Sequence, residues 1–336
     1  MSWTKPPAKP ASPTSKASPG FNARPFYLPY NLLRPMRIPT FLTLRGRSWG
    51  DTLQLWGSLG AFALTGRLIA LVPIPAWRQA LYKRRWQSFF CRAQRRLVYW
   101  KKQHCWTDLA HLLHTGGQGD FPEGYVRFSP GEVGFQIGAN RGEYTFQAAQ
   151  AIGPEGLCIA LEPNPTAYLD LLELARLNHA ANVIVLPFAC GTTYTQATFT
   201  AHREVAAHFG DLVFSMSRDV PPEHAVEGFT ARVVPLDGLV KGLGLTRVDF
   251  LIIDVEGAEL AVLQGAQETL RAFRPRLLIE LHGTAESVLP FLQGLGYEIA
   301  GLVGDSPDRM HLLALPAAYS EKGRTFEVHG GYSSGG

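Results

Sequence analysis

From Val133 onward, short apolar runs alternate with stretches whose apolar residues recur every three or four positions. Runs of this kind, bounded by Gly, Pro or acids, predict strands buried on both faces, and the stretches between them predict helices packed on those faces. The predicted strands are Val133–Ile137, Leu157–Glu162, Val183–Phe188, Phe250–Asp254, Arg276–Leu281 and Tyr297–Val303, with Met310–Pro316 placed at the sheet edge. Helices are predicted over Glu143–Ile152, Pro165–Asn178 and Ala258–Phe273; in the last, Leu260, Leu263, Ala266 and Leu270 share one face. This alternation predicts an α/β fold with a doubly wound, mostly parallel, seven-stranded sheet. Between Gly191 and Asp237 it breaks into short β-like pieces, Ala197–Ala201 and Ala231–Leu236, around a polar loop suited to substrate recognition.

The first third of the chain reads differently. Thr52–Gly66 is uncharged and mostly apolar, and the character resumes from Leu68 to Trp77. A membrane span needs about 20 such residues. Arg67 interrupts this one, Gly57, Gly60, Gly66, Pro73 and Pro75 weaken it, and a charge at the bilayer centre costs at least ~2.5 kcal/mol. A buried or interfacial helix is expected instead. Next, Tyr82, Trp86, Phe89, Phe90, Ala93, Leu97 and Trp100 fall on one stripe at helical spacing, with Arg84, Arg85, Arg92, Arg95 and Arg96 opposite. An amphipathic helix over residues 80–102 either packs on the globular body or makes peripheral contact with an anionic membrane.

Met1–Gly20 holds Pro, Lys, Ser and Ala, with no apolar core for a secretory signal and too few apolar side chains to offset ordering entropy. Phe21–Gly50 shows neither helical nor strand period. The expected organisation is a disordered tail (1–20), a basic extension with apolar and amphipathic helices (21–110), a catalytic domain (111–320) and a flexible C-terminal tail (321–336).

Charge sharpens that division. Met1–Cys105 carries 18 Lys and Arg against one acid, Asp51, whereas the remainder carries 14 against 27. A basic arm on an acidic body points to two parts with different partners: anionic lipid, nucleic acid or the body's own surface for the arm. The arm contains no recognisable nucleic-acid-binding module. Cys91, Cys105, Cys158 and Cys190 lack metal-ligand spacing, and Cys158 and Cys190 sit in strand-like runs, as expected of reduced thiols in a cytoplasmic protein.

Candidate chemistry gathers at the carboxyl ends of the predicted strands, where doubly wound folds bind ligands. In VGFQIGANRG, Gly138 and Gly142 flank a strand-to-helix turn that lets the backbone approach a ligand. Glu162 closes the next strand, 24 residues after Gly138, where an acid can accept hydrogen bonds from both ribose hydroxyls of a nucleoside. Asp254 and Glu256 are two apart on an extended segment and can face one cleft. Glu259 suits the positive end of the following helix. Glu280 and His282 repeat the two-residue spacing, and with Asp254 they suit a general base or a weak metal site.

These residues resemble the FkbM-type S-adenosylmethionine (SAM)-dependent methyltransferases. The resemblance runs from about residue 128 to 301 through FQIGANRGEYT, ALEPNPTAYLDLLELARLN, VIVLPFACG, DFLIIDVEGAELAVLQGAQETL and RPRLLIELH. It implies a class I methyltransferase fold and methyl transfer from SAM to a hydroxyl of a sugar, a lipid-linked glycan or a natural-product alcohol. It implies that Gln136, Gly138, Asn140, Gly142, Glu162 and Asn164 bind SAM, and that Asp254, Glu256 and His282 face the transfer site. The chain departs from the family pattern twice: Gln136 stands for an acid, and Ile252 for a lysine.

Two other readings share part of the pattern. A nicotinamide-dependent dehydrogenase has the strand, the glycine turn and the acid, but G-x-G-x-x-G spacing is missing here. A catalytically weak SAM-binding scaffold, docked to membrane or partner by the basic arm, would keep the fold and tolerate Gln136 and Ile252.

Overall fold

The computed structural model describes residues 43–74, 96–100, 105–109, 127–202, 225–306 and 309–317, with single positions between 77 and 125. The expected tails (1–20 and 321–336), most of the unassigned stretch 21–50 and the polar loop 203–224 lie outside the described residues.

In chain order, β1 (Leu44–Arg45) leads into α1 (Trp49–Ala70), and β2 (Leu97–Trp100) pairs with β3 (Cys105–Asp108). Then come β4 (Val133–Ile137), α2 (Glu143–Ile152), β5 (Leu157–Leu161), α3 (Pro165–Leu177), β6 (Val183–Leu186), β7 (Phe188–Cys190), β8 (Thr195–His202) and β9 (Ala225–Val234). The chain continues through α4 (Leu236–Gly242), β10 (Phe250–Ile253), α5 (Glu259–Gln264), α6 (Gln267–Phe273), β11 (Arg276–Leu281), α7 (Ala285–Gly294), β12 (Tyr297–Ser306) and β13 (Arg309–Pro316).

Seven strands form the main sheet in the order β12-β13-β11-β10-β4-β5-β6. β4 lies near its middle, parallel to β10 and β5, with Gln136 in register with Ile252 and Ala160. Alternation sorts the strand side chains onto two faces. Phe135, Ile137, Leu251, Ile253, Leu277 and Ile279 pack with Leu236, Val262, Leu270 and Leu292 of α4–α7, while Phe250, Ile252 and Leu278 pack with Tyr144, Ala148 and Ile152 of α2. Every one of these is buried. At the amino ends of β4 and β11, Arg276 donates two parallel hydrogen bonds to Glu132, at 2.7 and 2.8 Å.

Several expectations change. β13 is interior rather than at the edge: it inserts antiparallel between β11 and β12, leaving β12 outermost. The run Val183–Phe188 divides at Pro187, which cannot donate to a ladder; β6 stays in the main sheet and β7 joins a second sheet, β7-β9-β8. The single helix expected over Ala258–Phe273 breaks at Gly265, where a Cβ would lie 2.0 Å from the Gly191 carbonyl oxygen. Asp237 caps the second piece, accepting from the Glu268 and Thr269 N–H groups.

The basic extension also contains strand. Leu97 and Trp100, placed on a helical stripe by spacing, lie on β2 in the antiparallel sheet β1-β2-β3. Of that stripe, Phe89 and Ala93 are helical and buried; Tyr82, Trp86 and Phe90 lie outside the described residues. The small sheet is tied to α3. Asn178 accepts from the Trp106 N–H at 2.6 Å and donates back to its carbonyl at 3.0 Å. Arg47 pairs with Glu173.

Candidate active site

The turn after β4 is shaped by the strand beside it. Gly138 has φ +78, and a Cβ there would lie 1.8 Å from the Asp254 carbonyl oxygen. Only glycine lets the β4 turn sit this close to the end of β10. Asn140 also adopts a left-handed conformation, at φ 47, and so does Glu256 across the cleft, at φ 53. Residues held in that region concentrate at ligand sites, where surrounding structure offsets their strain.

Glu162 joins the two loops. One carboxylate oxygen accepts from the Asn140 N–H at 2.6 Å and the other from the Asn164 N–H at 2.8 Å. Asn164 in turn caps α3 by accepting from the Thr166 N–H at 3.0 Å. Burial pushes the Glu162 carboxyl up to about 7, against the opposing pull of the two N–H groups and Arg141. Beneath the turn, Arg141 is buried against Asp170 at 3.0 Å and Asp108 at 3.9 Å. Asp108 ends β3, so this buried ion cluster fastens the N-terminal sheet under the glycine turn.

A cleft opens above these loops. Of the residues predicted from sequence, Gly138, Asn140, Glu162, Asn164, Asp254 and Glu256 line it. Gln136 does not: it is buried, and its Oε1 accepts from the Thr145 hydroxyl, so it braces the turn from behind. Gly142 caps α2 with φ 80 and packs against Leu171 and Phe146. Ile252 is wholly buried in the α2-side core and points away from the cleft. The pattern reading missed the far wall, where Phe199 of β8 and Phe229 of β9 stack at 5.0 Å between centroids. The β-like piece Ala197–Ala201 was the trace of it; its pairing with residues about thirty positions away was not.

His282 stands behind Asp254 and Glu256 rather than in the lining. Its Nδ1 lies 2.9 Å from Glu259 Oε1, and its Nε2 lies 3.5 Å from Glu280, 3.7 Å from Glu256 and 3.9 Å from Asp254. Glu259 is fully buried and also accepts from the Gly257 N–H at 2.9 Å and the Thr284 hydroxyl at 2.8 Å. Burial opposes a charged imidazole, but the bonds to Glu259 and Glu280 and the charges of Glu256 and Asp254 outweigh it and push His282 up to about 11. These carboxylates hold it toward its protonated form, which opposes its acting as a general base, one of the roles the sequence offered to His282 and Asp254. Glu280 is held well below the usual carboxylate range: burial raises it, but His282, His311 and Arg309 prevail. Asp254 moves the other way, raised by burial and by the Glu280 and Glu256 carboxylates despite His282. Asp254, Glu280 and His282 bring one ligand atom each within 4.8 Å of the others, but a protonated imidazole has no lone pair to give, so a metal ion would have to displace that proton.

A seven-stranded mixed sheet, with a glycine turn after its central strand and acids beyond the neighbouring strand ends, defines a class I methyltransferase fold. Residues 136–299 match the Methyltransferase FkbM domain family.

Solved structures resemble the chain at low identity. The methyltransferase FkbM from Methylobacillus flagellatus KT is 16% identical over 78% of this chain and 60% of its own, with a TM-score of 0.42. Aeropyrum pernix fibrillarin, in complex with natively bound S-adenosyl-L-methionine, is 16% identical over 56% of this chain and 67% of its own, at 0.35. M. capricolum TrmK, in complex with S-adenosyl-homocysteine, is 10% identical over 57% and 66%, at 0.35. The chain thus spans 60% of the length of the Methylobacillus protein. No curated protein matches it. Among the described residues, no helix is long and apolar enough to cross a membrane.

Proposed function

We propose that this protein transfers a methyl group from SAM to a hydroxyl of a sugar, glycolipid or natural-product alcohol. One observation carries the reading: Glu162 beyond β5 and the Asp254–Glu256 pair beyond β10 face a single cleft across the Gly138 turn. The residues fit a nucleoside cofactor. Each Glu162 oxygen uses one lone pair on a backbone N–H, which leaves the other to accept from a ribose hydroxyl. Gly138 leaves the turn open where a side chain would fill it, and Phe199 with Phe229 offers a flat apolar wall.

SAM, when bound, supplies an already activated methyl group. The chain must align the acceptor, exclude water and take one proton from the attacking hydroxyl. Asp254 is the group placed to take it: it lines the cleft, and burial with the neighbouring Glu280 and Glu256 carboxylates raises its proton affinity. Protonated His282 orients Asp254 and Glu256 from behind, and Glu259 fixes the imidazole through Nδ1.

The test is native mass spectrometry of freshly purified protein, followed by calorimetric titration of SAM. Co-purified SAM or its demethylated product is expected, and Glu162→Ala should weaken SAM binding by ~tenfold or more, since two charge-assisted bonds are lost. Unchanged affinity in Glu162→Ala would remove Glu162 as the ribose acceptor.

A further inference from the structure

We infer that the open face of α1 is a membrane-docking surface, seated in the interface of an anionic lipid bilayer. α1 is apolar on both sides, yet among the described residues only one side is buried. Thr52, Leu55 and Leu59 are at most 2% exposed and pack inward. The opposite face carries Trp49, Leu53, Leu64 and Leu68, four or eleven positions apart as one helical face requires, with Leu71 just past the helix end, all at least 57% exposed. Gly57 and Gly60 fall on that same face, and a Cβ on either would meet nothing within 4 Å. Ile74, Trp77 and Leu81 carry exposed apolar surface past the end of the helix.

A helix that is apolar all round is normally buried, in a core or in lipid. Monomeric soluble proteins seldom leave so long an apolar stripe open, and such a stripe marks an interaction site. No described helix is long and apolar enough to cross a bilayer, so α1 would lie in the interfacial plane.

Charge selects lipid as the occupant. Arg45, Arg67 and Arg84 are exposed around the stripe. The first 105 residues hold 18 Lys and Arg and a single acid, Asp51, and that acid already pairs with Arg96 at 2.9 Å. Leucine and tryptophan side chains would enter the acyl boundary while the arginines reach the headgroups. This places on the preceding helix the membrane contact that was one of two alternatives for residues 80–102.

Flotation of the full chain with phosphatidylcholine vesicles, with and without phosphatidylglycerol, tests the assignment. The protein should float with the anionic vesicles, and the double variant Leu64→Glu/Leu68→Glu should lose at least ~tenfold in partition, because both side chains would carry charge into the apolar boundary. Its thermal unfolding should match that of the parent, since both positions are exposed; if it does not, Leu64→Ser alone makes the same comparison. Flotation untouched by these substitutions, or absent with anionic vesicles, would overturn the inference. So would light scattering that showed a dimer dispersed by the same substitutions without any vesicle binding, which would assign the face to a second copy of the chain.

Discussion

His282 Nδ1 lies 2.9 Å from Glu259 Oε1, which fixes the imidazole so that Nε2 faces Asp254, Glu256 and Glu280. Glu259→Gln removes the charge behind the ring while keeping its shape. His282 should then titrate at least ~1 unit lower, equivalent to about 1.4 kcal/mol. A histidine whose pKa rises from 6.5 to about 11 on folding stabilises fully below 6.5 and loses that contribution as pH climbs through 11. Glu259 is shifted downward, so its own contribution is present above its unfolded value of 4.5 and lost in acid. The variant should therefore be most destabilised between about pH 5 and 6.5, with the deficit shrinking as pH rises. Urea unfolding across pH, with NMR titration of the imidazole, measures both effects. A His282 that titrates identically in the two proteins would disprove the coupling.

On the proposed reading, Asp254 takes the acceptor's proton and His282 orients it. Since Asp254 is raised and must be ionised to accept a proton, turnover should increase with pH across that raised range. Asp254→Asn should lower turnover by ~10²–10⁴-fold while leaving SAM affinity intact. The measurement is release of demethylated SAM over a panel of sugar and alcohol acceptors, beside calorimetry. Full turnover in Asp254→Asn would transfer the base role to Glu256.

Local chemistry made much of this legible. Val133–Ile137, Glu143–Ile152 and Arg276–Leu281 appear with the predicted bounds, because an apolar run ending at glycine or at a helix start leaves little freedom. Gly138, Glu162 and Asp254 could be placed at one edge because strand ends in a doubly wound sheet converge there. What escaped was non-local. Glu259 reads as a helix-terminus charge because His282 is 23 residues away. Gly265 reads as a tolerated helical glycine, since nothing nearby in sequence announces the Gly191 carbonyl pressed against it. Leu97 and Trp100 fit a helical stripe, but pairing with Asp108 and Cys105 overrides that spacing. Gln136 faces Thr145, nine positions on, and only the helix return shows that it turns inward.

Arg141, absent from the predicted site, supports it from below. Its side chain is 3% exposed, between Asp170 at 3.0 Å and Asp108 at 3.9 Å, and the latter is wholly buried. Arg141→Met would leave two carboxylates without that cation, at a cost of ~3–5 kcal/mol. The same loss removes a charge that holds the Glu162 carboxyl down, so Glu162 should rise further above 7. SAM affinity at neutral pH should fall and recover partly at higher pH, where Glu162 ionises again. Denaturant unfolding and calorimetry at two pH values check these expectations. A weakened affinity that ignored pH would separate Arg141 from Glu162.

Gly138 and Gly142 both adopt positive φ, but their surroundings differ in kind. At Gly138 a Cβ would lie 1.8 Å from the Asp254 carbonyl oxygen, which is backbone held by the sheet. At Gly142 it would meet Leu171 Cδ1 at 2.4 Å and the Phe146 ring at 2.6 Å, the ends of side chains that can rotate. Alanine at either site incurs the left-handed penalty of ~1–2 kcal/mol. Only at Gly138 must two strands also part, carrying Asp254 away from the turn and opening the cleft on its catalytic side. Gly138→Ala should thus unfold at clearly lower denaturant than Gly142→Ala and lose ~tenfold or more in SAM affinity, since small displacements at a preorganised site are costly. Gly142→Ala should keep most of its affinity, because its collision is relieved by Leu171 and Phe146 away from the lining. Equal losses of stability and affinity in the two variants would show that backbone strain alone, rather than the contact with Asp254, decides the geometry of the turn.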